Sequence, residues 1–196
     1  MISLYTLIIV IIWGNTMYKT MGIDPSMRST GVYYDGRYYL IGCAFARKVM
    51  AANLDGVTIL SYEYTSAENK SGIDKEWAKT QNIMTIVRII NNLLDNIRPD
   101  RVCVEAIAMR AGGMVDVLAG LNYAIRMSCI DRMIPVYAVS PSANKKNFTG
   151  RGNATKGMML EAWRGVESRD FSALGKHCDD MADAYALSLM PLSDDV

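Results

Sequence analysis

The sequence predicts one α/β domain with a mixed sheet, in which three antiparallel strands lead into parallel strands and helices cover both faces. The early part of the chain carries tight-turn dipeptides such as Asp35-Gly36, which are typical of antiparallel hairpins. From Asp74 onwards, segments with helical periodicity alternate with short apolar runs, as in parallel strands joined by crossover helices. A length of 196 residues and a hydrophobic content of 51% suit a single packed domain.

The first predicted strand runs from Met17 to Ile23 and places an acid at its end. Pro25 cannot donate a hydrogen bond to a sheet, so the strand should stop with Asp24 at its carboxyl end. The other early segments with strand character are residues 32–34, 37–45 and 57–65, and a turn is predicted at 53–56.

A predicted helix from Asp74 to Ile97 separates this early sheet from a second buried strand. Its apolar face carries Ile83, Val87, Ile90, Leu94 and Ile97. The strand from Arg101 to Ile107 follows, and a right-handed crossover would make it parallel to the first strand, with Glu105 beside Asp24. The later predicted elements are a helix at 114–131, a strand at 135–139 and two helices, near 154–164 and 178–190.

Four acids are the candidate chemical groups of the chain. Asp24 and Glu105 end strands, and Asp180 and Asp183 lie three residues apart on the last predicted helix, where both face one side. Carboxylates about 4 Å apart repel by roughly 4 kcal/mol at an effective dielectric of about 20, so their convergence requires protons or cations. Oxygen ligands suit Mg²⁺ or Mn²⁺. Any one acid alone is better explained as a surface residue or helix cap, so the prediction rests on the set.

The basic residues that suit a nucleic acid are concentrated in one segment. A formal net charge of +1 gives no global reason to expect such a partner. Between residues 145 and 164, however, only Glu161 is acidic, and the basic residues are Lys145, Lys146, Arg151, Lys156 and Arg164. We therefore expect a local basic surface.

Four segments of the chain match the motifs of one enzyme family in the family's order. They are Gly22–Gly31, Val104-Glu105, Lys145–Lys156 and Asp180–Leu187. On these residues, the region 17–190 resembles the RuvC-type Holliday junction resolvases of the ribonuclease-H-like superfamily. The resemblance implies a ribonuclease-H-like fold and a crossover junction endodeoxyribonuclease. Such an enzyme cuts four-way DNA junctions as a homodimer and leaves 5′-phosphate and 3′-hydroxyl ends.

The resemblance also assigns roles to individual residues. It implies that two Mg²⁺ ions, replaceable by Mn²⁺, are held by Asp24, Glu105, Asp180 and Asp183, and that the catalytic Lys145 lies near the scissile phosphate. Asp179 is an alternative ligand, and the spacing of His177 allows it to enter the metal or general-base network. The predicted DNA-binding residues are Arg110, Lys145, Lys146, Arg151 and Lys156.

The chain departs from the family pattern at several positions. Ser26 replaces a glycine, Ala106 stands where an acid or amide is common, and Leu121–Tyr123 replaces an Arg-Gly pair near the family's subunit contact. Ala108 stands where the family often has an aromatic residue that stacks on DNA, and Met109 and Arg110 are the candidate substitutes. These departures indicate a divergent branch, such as one from a phage or another mobile element.

The two ends and the cysteines complete the predicted organisation. Residues 1–16 form an apolar extension, which we read as an upstream start or a dispensable segment, because Met17 or Met21 would open the chain where the first strand begins. A membrane tether is the alternative, although the run is shorter than a span of about 20 residues. Residues 191–196 form an acidic tail. The four cysteines show no metal or disulfide spacing, which predicts reduced thiols in the cytoplasm, or in the host cytoplasm if the protein is viral.

Three other functions compete with junction resolution. A ribonuclease-H-like nuclease for other branched, flap or RNA–DNA hybrid substrates is the nearest, because Ala108 is not aromatic. In an actin-like phosphotransferase, Gly22–Gly31 would form a phosphate-binding loop. Such an enzyme needs a second lobe, for which 196 residues leave no room. A non-catalytic DNA-binding scaffold would not need the four acids.

Overall fold

The computed structural model describes residues 18–43, 45, 47–50, 54–107 and 115–191. The strands are β1 (Thr20–Asp24), β2 (Ser29–Tyr34), β3 (Arg37–Gly42), β4 (Val57–Ser61), β5 (Arg101–Glu105) and β6 (Val136–Val139). The main helices are α1 (Gly72–Ile97), α2 (Val115–Ile130), α3 (Pro141–Thr149), α4 (Lys156–Val166) and α5 (Cys178–Ser188). A helical turn at Arg47–Met50 and a 3₁₀ segment at Ser172–His177 complete the described elements. The predicted extension at 1–16 and nearly all of the acidic tail lie outside the described residues.

The described strands form one mixed sheet in the order β4-β3-β2-β1-β5-β6. The pairs β1–β2 and β2–β3 are antiparallel, whereas β3–β4, β1–β5 and β5–β6 are parallel. The predicted fold class is therefore confirmed. Ile23 pairs with Val104, so Asp24 and Glu105 extend from neighbouring strands at the same edge of the sheet.

The hairpin between β2 and β3 forms at the predicted dipeptide. Asp35 and Gly36 both have positive φ, at 47° and 82°. This combination is typical of the two-residue turns whose twist matches antiparallel strands, and glycine and aspartate tolerate it better than most residues. The local sequence therefore sets the register of the early sheet.

The buried face of α1 is displaced from the predicted one. Ile90 and Leu94 are buried as expected, but Asn82 and Ile86 are buried with them, whereas Ile83 and Val87 are only partly buried. The reason is that α1 packs on two partners, the sheet and α2. A methyl group added at Gly120 of α2 would lie 3.2 Å from Ile83 Cδ1.

One helix was missed by the sequence analysis, which placed only two helices after the last strand. Helix α3 begins after Ser140, whose side chain accepts a hydrogen bond from the Ala143 backbone N–H at 3.2 Å. Pro141 occupies the first turn, and Gly150 ends the helix with φ of 79°. This Ser-Pro start and Gly stop are the signals that could have revealed it. As a result, Lys145 lies on a helix rather than in a loop.

Helix α5 lies directly on the strands β1 and β2 because both sides of the contact lack bulk. Its buried residues include Ala182, Ala184 and Ala186. On the sheet side, a methyl group at Gly22 would overlap the carbonyl oxygen of Ala184, and one at Gly31 would overlap that of Asp180. The two glycines therefore set the distance between the sheet and the acids of α5.

Gly31→Ala should lower the free energy of unfolding, since the backbone of α5 would have to move away from β2. Overpacking of this kind costs about 1–3 kcal/mol, and urea unfolding measures it. Gly165→Ala is the matched control, because a methyl group there meets no atom within 4 Å and alanine favours a helix. Equal stability of Gly31→Ala and the wild type would show that this contact is loose.

Among the described residues, no helix combines the length and apolar character that crossing a membrane requires.

Candidate active site

Asp24 and Glu105 form the centre of the site at the edge where β1 and β5 end. Burial raises the pKa of Asp24 well above its usual range, and the charges of Glu105, Asp183 and Asp180 raise it further. Burial, followed by the charge of Asp183, raises the pKa of Glu105 to about 7. The two carboxyl groups are close enough for a hydrogen bond, which favours the proton on Asp24. They therefore behave as one coupled pair.

Asp183 and Asp180 approach this pair from α5. Burial raises the pKa of Asp183 to about 6, although the positive charges of Lys145 and Lys156 oppose the rise. The Oδ1 atom of Asp183 is buried and has no hydrogen-bond partner among the described residues. Burial also raises the pKa of Asp180, against hydrogen bonds from Ser29 and His177 that lower it. Asp180 and Asp183 therefore lie near enough to Asp24 for their charges to raise its pKa.

The side chains of the four acids lie near one another but do not surround a single position as metal ligands would. Among the described residues, no three acidic, histidine or cysteine side chains have their ligand atoms arranged around one ion. Asp24 is hydrogen-bonded to Glu105, and Asp180 is turned towards Ser29. The unpartnered Oδ1 of Asp183 and the all-oxygen donor set still fit a hard divalent cation.

A serine and the only histidine lie behind Asp180. Ser29 Oγ donates a hydrogen bond to Asp180 Oδ2, and it lies 2.9 Å from His177 Nδ1. The spacing of His177 suggested a place in the metal or general-base network, and its Nδ1 atom lies 3.4 Å from Asp180 Oδ2 as well. Ser29 was missed, because a serine at the start of a strand carries no functional signal.

Two lysines face the acids from α3 and α4. Both Lys145 and Lys156 lower the pKa values of Glu105 and Asp183 through their positive charge. The Nζ atom of Lys156 also lies 3.3 Å from Asp179 Oδ2, at a pair whose lysine side chain is 77% exposed. Asp179 is thus engaged by a protein cation, which makes it a weaker candidate ligand than the other acids.

A cleft of about 420 Å³ opens beside Asp180. Its basic residues are Arg28, Lys156 and Lys176, together with His177. Arg28 and Lys176 were absent from the predicted DNA-binding set, although Arg28 belongs to the first motif. Lys146 and Arg151 are exposed near the end of α3 and do not line this cleft. Arg110 lies outside the described residues, as do Ala108 and Met109.

Curated proteins of one enzyme type are similar in sequence to most of this chain. No protein-family model matches the chain. Curated proteins named crossover junction endodeoxyribonuclease RuvC, from Chlamydia abortus and Chlamydia felis, are 28% and 29% identical to it over 171 residues. These matches cover 86% of this chain and 90% and 89% of the relatives. The chain is therefore similar in sequence, over most of its length, to RuvC-type crossover junction endodeoxyribonucleases.

Solved structures show the same fold. Thermus thermophilus RuvC superposes with a TM-score of 0.56 at 20% identity, covering 87% of this chain and 92% of that one. The structure of T. thermophilus RuvC in complex with a Holliday junction substrate gives a TM-score of 0.55 at 19% identity and the same coverage. The match shows that the chain shares the fold of these proteins despite the low identity.

One departure from the RuvC pattern has a structural role. The buried Asn122 donates a hydrogen bond from Nδ2 to the carbonyl oxygen of Glu105 at 2.6 Å. The backbone N–H of Ala106, the residue after Glu105, donates a hydrogen bond to the carbonyl oxygen of Val139 at 2.7 Å. Together these bonds fix the end of β5, so the segment 121–123 supports the position of the Glu105 backbone.

Proposed function

We propose that this divergent RuvC-type nuclease resolves four-way DNA junctions by metal-dependent phosphodiester hydrolysis. The observation that carries the proposal is the coupling of Asp24, Glu105, Asp180 and Asp183 at one sheet edge, with Lys145 and Lys156 facing them. The names of the relatives support the substrate, because a junction is what the curated proteins are named for. The products would carry 5′-phosphate and 3′-hydroxyl ends.

The acidic residues of the site would bind metal ions, and the basic residues would bind DNA phosphates. Asp24, Glu105, Asp180 and Asp183 would hold two Mg²⁺ ions, with Mn²⁺ as a substitute. Bound divalent ions supply an activated water and stabilise the charge of the leaving oxygen. Lys145 and Lys156, whose charges act on Glu105 and Asp183, would neutralise the scissile phosphate and its neighbour. Arg28 and Lys176 would hold the DNA backbone along the cleft.

Paired cleavage of a junction requires two active sites, and α2 offers the surface for a second copy. Tyr123, Met127 and Ile130 are 58%, 62% and 64% exposed, at intervals that place them on one side of the helix. An exposed apolar stripe of this kind is typical of a subunit contact. We therefore propose a homodimer that packs through α2.

We also propose that the protein works in the cytoplasm. The four cysteines of the chain are free and buried, which suits a reducing compartment.

Met127→Glu should convert the dimer to a monomer, because an unpaired charge would be buried at the contact. Light scattering after size exclusion measures the mass directly. Ile73→Glu is the control, since Ile73 is 86% exposed at the start of α1 and lies outside the stripe. A Met127→Glu protein of unchanged dimeric mass would place the contact elsewhere.

The substrate is tested by comparing four-way junction, flap, RNA–DNA hybrid and linear duplex under Mg²⁺. We expect cleavage of the junction at paired, symmetric positions and at least about tenfold slower cleavage of the others, a difference of about 1.4 kcal/mol in transition-state binding. Preference for the flap or the hybrid would favour the nearest alternative, a ribonuclease-H-like nuclease of other substrates. Equal cutting of all four would refute structure selectivity.

A further inference from the structure

Ser29 and His177 form a directed chain of hydrogen bonds that ends on Asp180. The hydroxyl group of Ser29 has one proton, which it donates to Asp180 Oδ2. Ser29 Oγ can therefore only accept from His177 Nδ1, 2.9 Å away, and this requires a hydrogen on Nδ1. His177 Nδ1 also lies 3.4 Å from Asp180 Oδ2. The chain thus runs from His177 through Ser29 to the carboxylate.

Both donors are held by packing. Ser29 opens β2 and is 9% exposed. His177 precedes α5, and its ring meets that of Phe45 edge to face, with the centroids 5.1 Å apart and the planes at 82°. Because the backbone of Asp180 rests on Gly31, the acid and its two donors are fixed to the same corner of the sheet.

The hydrogen-bond chain ends on a single oxygen of the carboxylate. Ser29 donates to Oδ2, and the single Nδ1 hydrogen of His177 goes to Ser29 at 2.9 Å rather than to Oδ2 at 3.4 Å, so the chain fixes the rotation of the Asp180 side chain without occupying Oδ1. Hydrogen-bond partners behind a ligating carboxylate orient it for the ion, and their loss typically costs about 10–100-fold in metal affinity or activity. His177, in this arrangement, uses Nδ1 for the chain rather than for an ion.

We propose that Ser29 and His177 are positioning residues, which orient Asp180 for a divalent cation. The inference rests on the proposed function, since it presumes that Asp180 is a ligand. It assigns a role to Ser29, for which the motifs of the chain gave none, and it replaces direct ligation by His177 Nδ1 with an indirect role.

Calorimetric titration of Mn²⁺ into the full chain, without DNA, tests the proposal. Ser29→Ala and His177→Phe should each weaken Mn²⁺ binding by about 10–100-fold, because each breaks the chain. His177→Phe keeps the ring that packs on Phe45 and removes the nitrogen. His177→Asn removes the ring but keeps a donor, because the amide N–H of asparagine replaces the Nδ1 donor. The Mn²⁺ affinity of this variant should lie within about threefold of the wild-type affinity.

Two further readouts separate positioning from a merely structural role. The double variant Ser29→Ala/His177→Phe should bind Mn²⁺ no more weakly than Ser29→Ala, because His177 acts through Ser29. With a four-way junction, kcat should fall in the single variants while KM for DNA stays unchanged. Urea unfolding in EDTA checks that each variant is folded.

Wild-type Mn²⁺ affinity in Ser29→Ala would overturn the proposal. So would normal binding in His177→Phe combined with weak binding in His177→Asn, since packing of the ring would then be what matters. If the wild type itself shows no Mn²⁺ binding that Asp24→Asn removes, the proposed function fails together with this inference. The two failures are therefore distinguishable in one set of titrations.

Discussion

Asp24→Asn should abolish Mg²⁺-dependent cleavage of a four-way junction and leave junction binding intact. The charges of the other three acids all raise the pKa of Asp24, so its substitution would remove the central ligand of the proposed metal site. A loss of about 4 kcal/mol of charge stabilisation corresponds to roughly a 10³-fold slower reaction. Single-turnover cleavage with a labelled junction measures the rate, and a gel-shift assay in Ca²⁺ measures binding.

Asp35→Asn is the matched control for this substitution. Asp35 lies in the exposed hairpin turn, where its carboxylate pairs with Lys19 at 2.7 Å, and asparagine tolerates its positive φ. In EDTA at pH 8, Asp24→Asn should also be more stable than the wild type, because asparagine has no charge to bury. Undiminished cleavage by Asp24→Asn would remove Asp24 from the mechanism.

Without divalent cations, the free energy of unfolding should fall as the pH rises from about 4 to above 7. The folded-state pKa values of Glu105 and Asp183, about 7 and about 6, lie above the ordinary values of 4.5 and 3.8. The unfolded chain therefore releases its protons first, and ionisation of these buried groups opposes folding at neutral pH. For Glu105 the effect is on the order of 3 kcal/mol.

Mg²⁺ should reverse this loss. Because a cation stabilises the ionised carboxylates, we expect it to raise the urea midpoint strongly at pH 8 and little at pH 5. In Asp24→Asn the rise at pH 8 should be much smaller, whereas in Asp35→Asn it should match the wild type. An equal effect of Mg²⁺ at both pH values would show that the ion binds elsewhere.

The shared sheet edge of Asp24 and Glu105 was predictable from the sequence because it depends on local rules. Pro25 ends β1 at Asp24, a crossover helix makes β5 parallel to β1, and a spacing of three places Asp180 and Asp183 on one helical side. Each rule acts within one element or one connection. Their combination fixed which carboxyl groups share an edge.

What the sequence did not show depends on contacts between distant residues. Ser29 and His177 are 148 positions apart, and neither carries a signal by itself. The same holds for Asn122, which supports the carbonyl group of Glu105 from another element. Helix α3 is a different case, since its Ser-Pro start was present and overlooked.

The central claim is that the four acids of β1, β5 and α5 together hold divalent cations. The most direct test is an anomalous difference map from crystals grown with Mn²⁺. We expect density between Asp24 and Glu105, within coordination distance of Asp24 and of at least one acid of α5. Fully occupied Mn²⁺ elsewhere, with Asp24 still hydrogen-bonded to Glu105, would contradict this account.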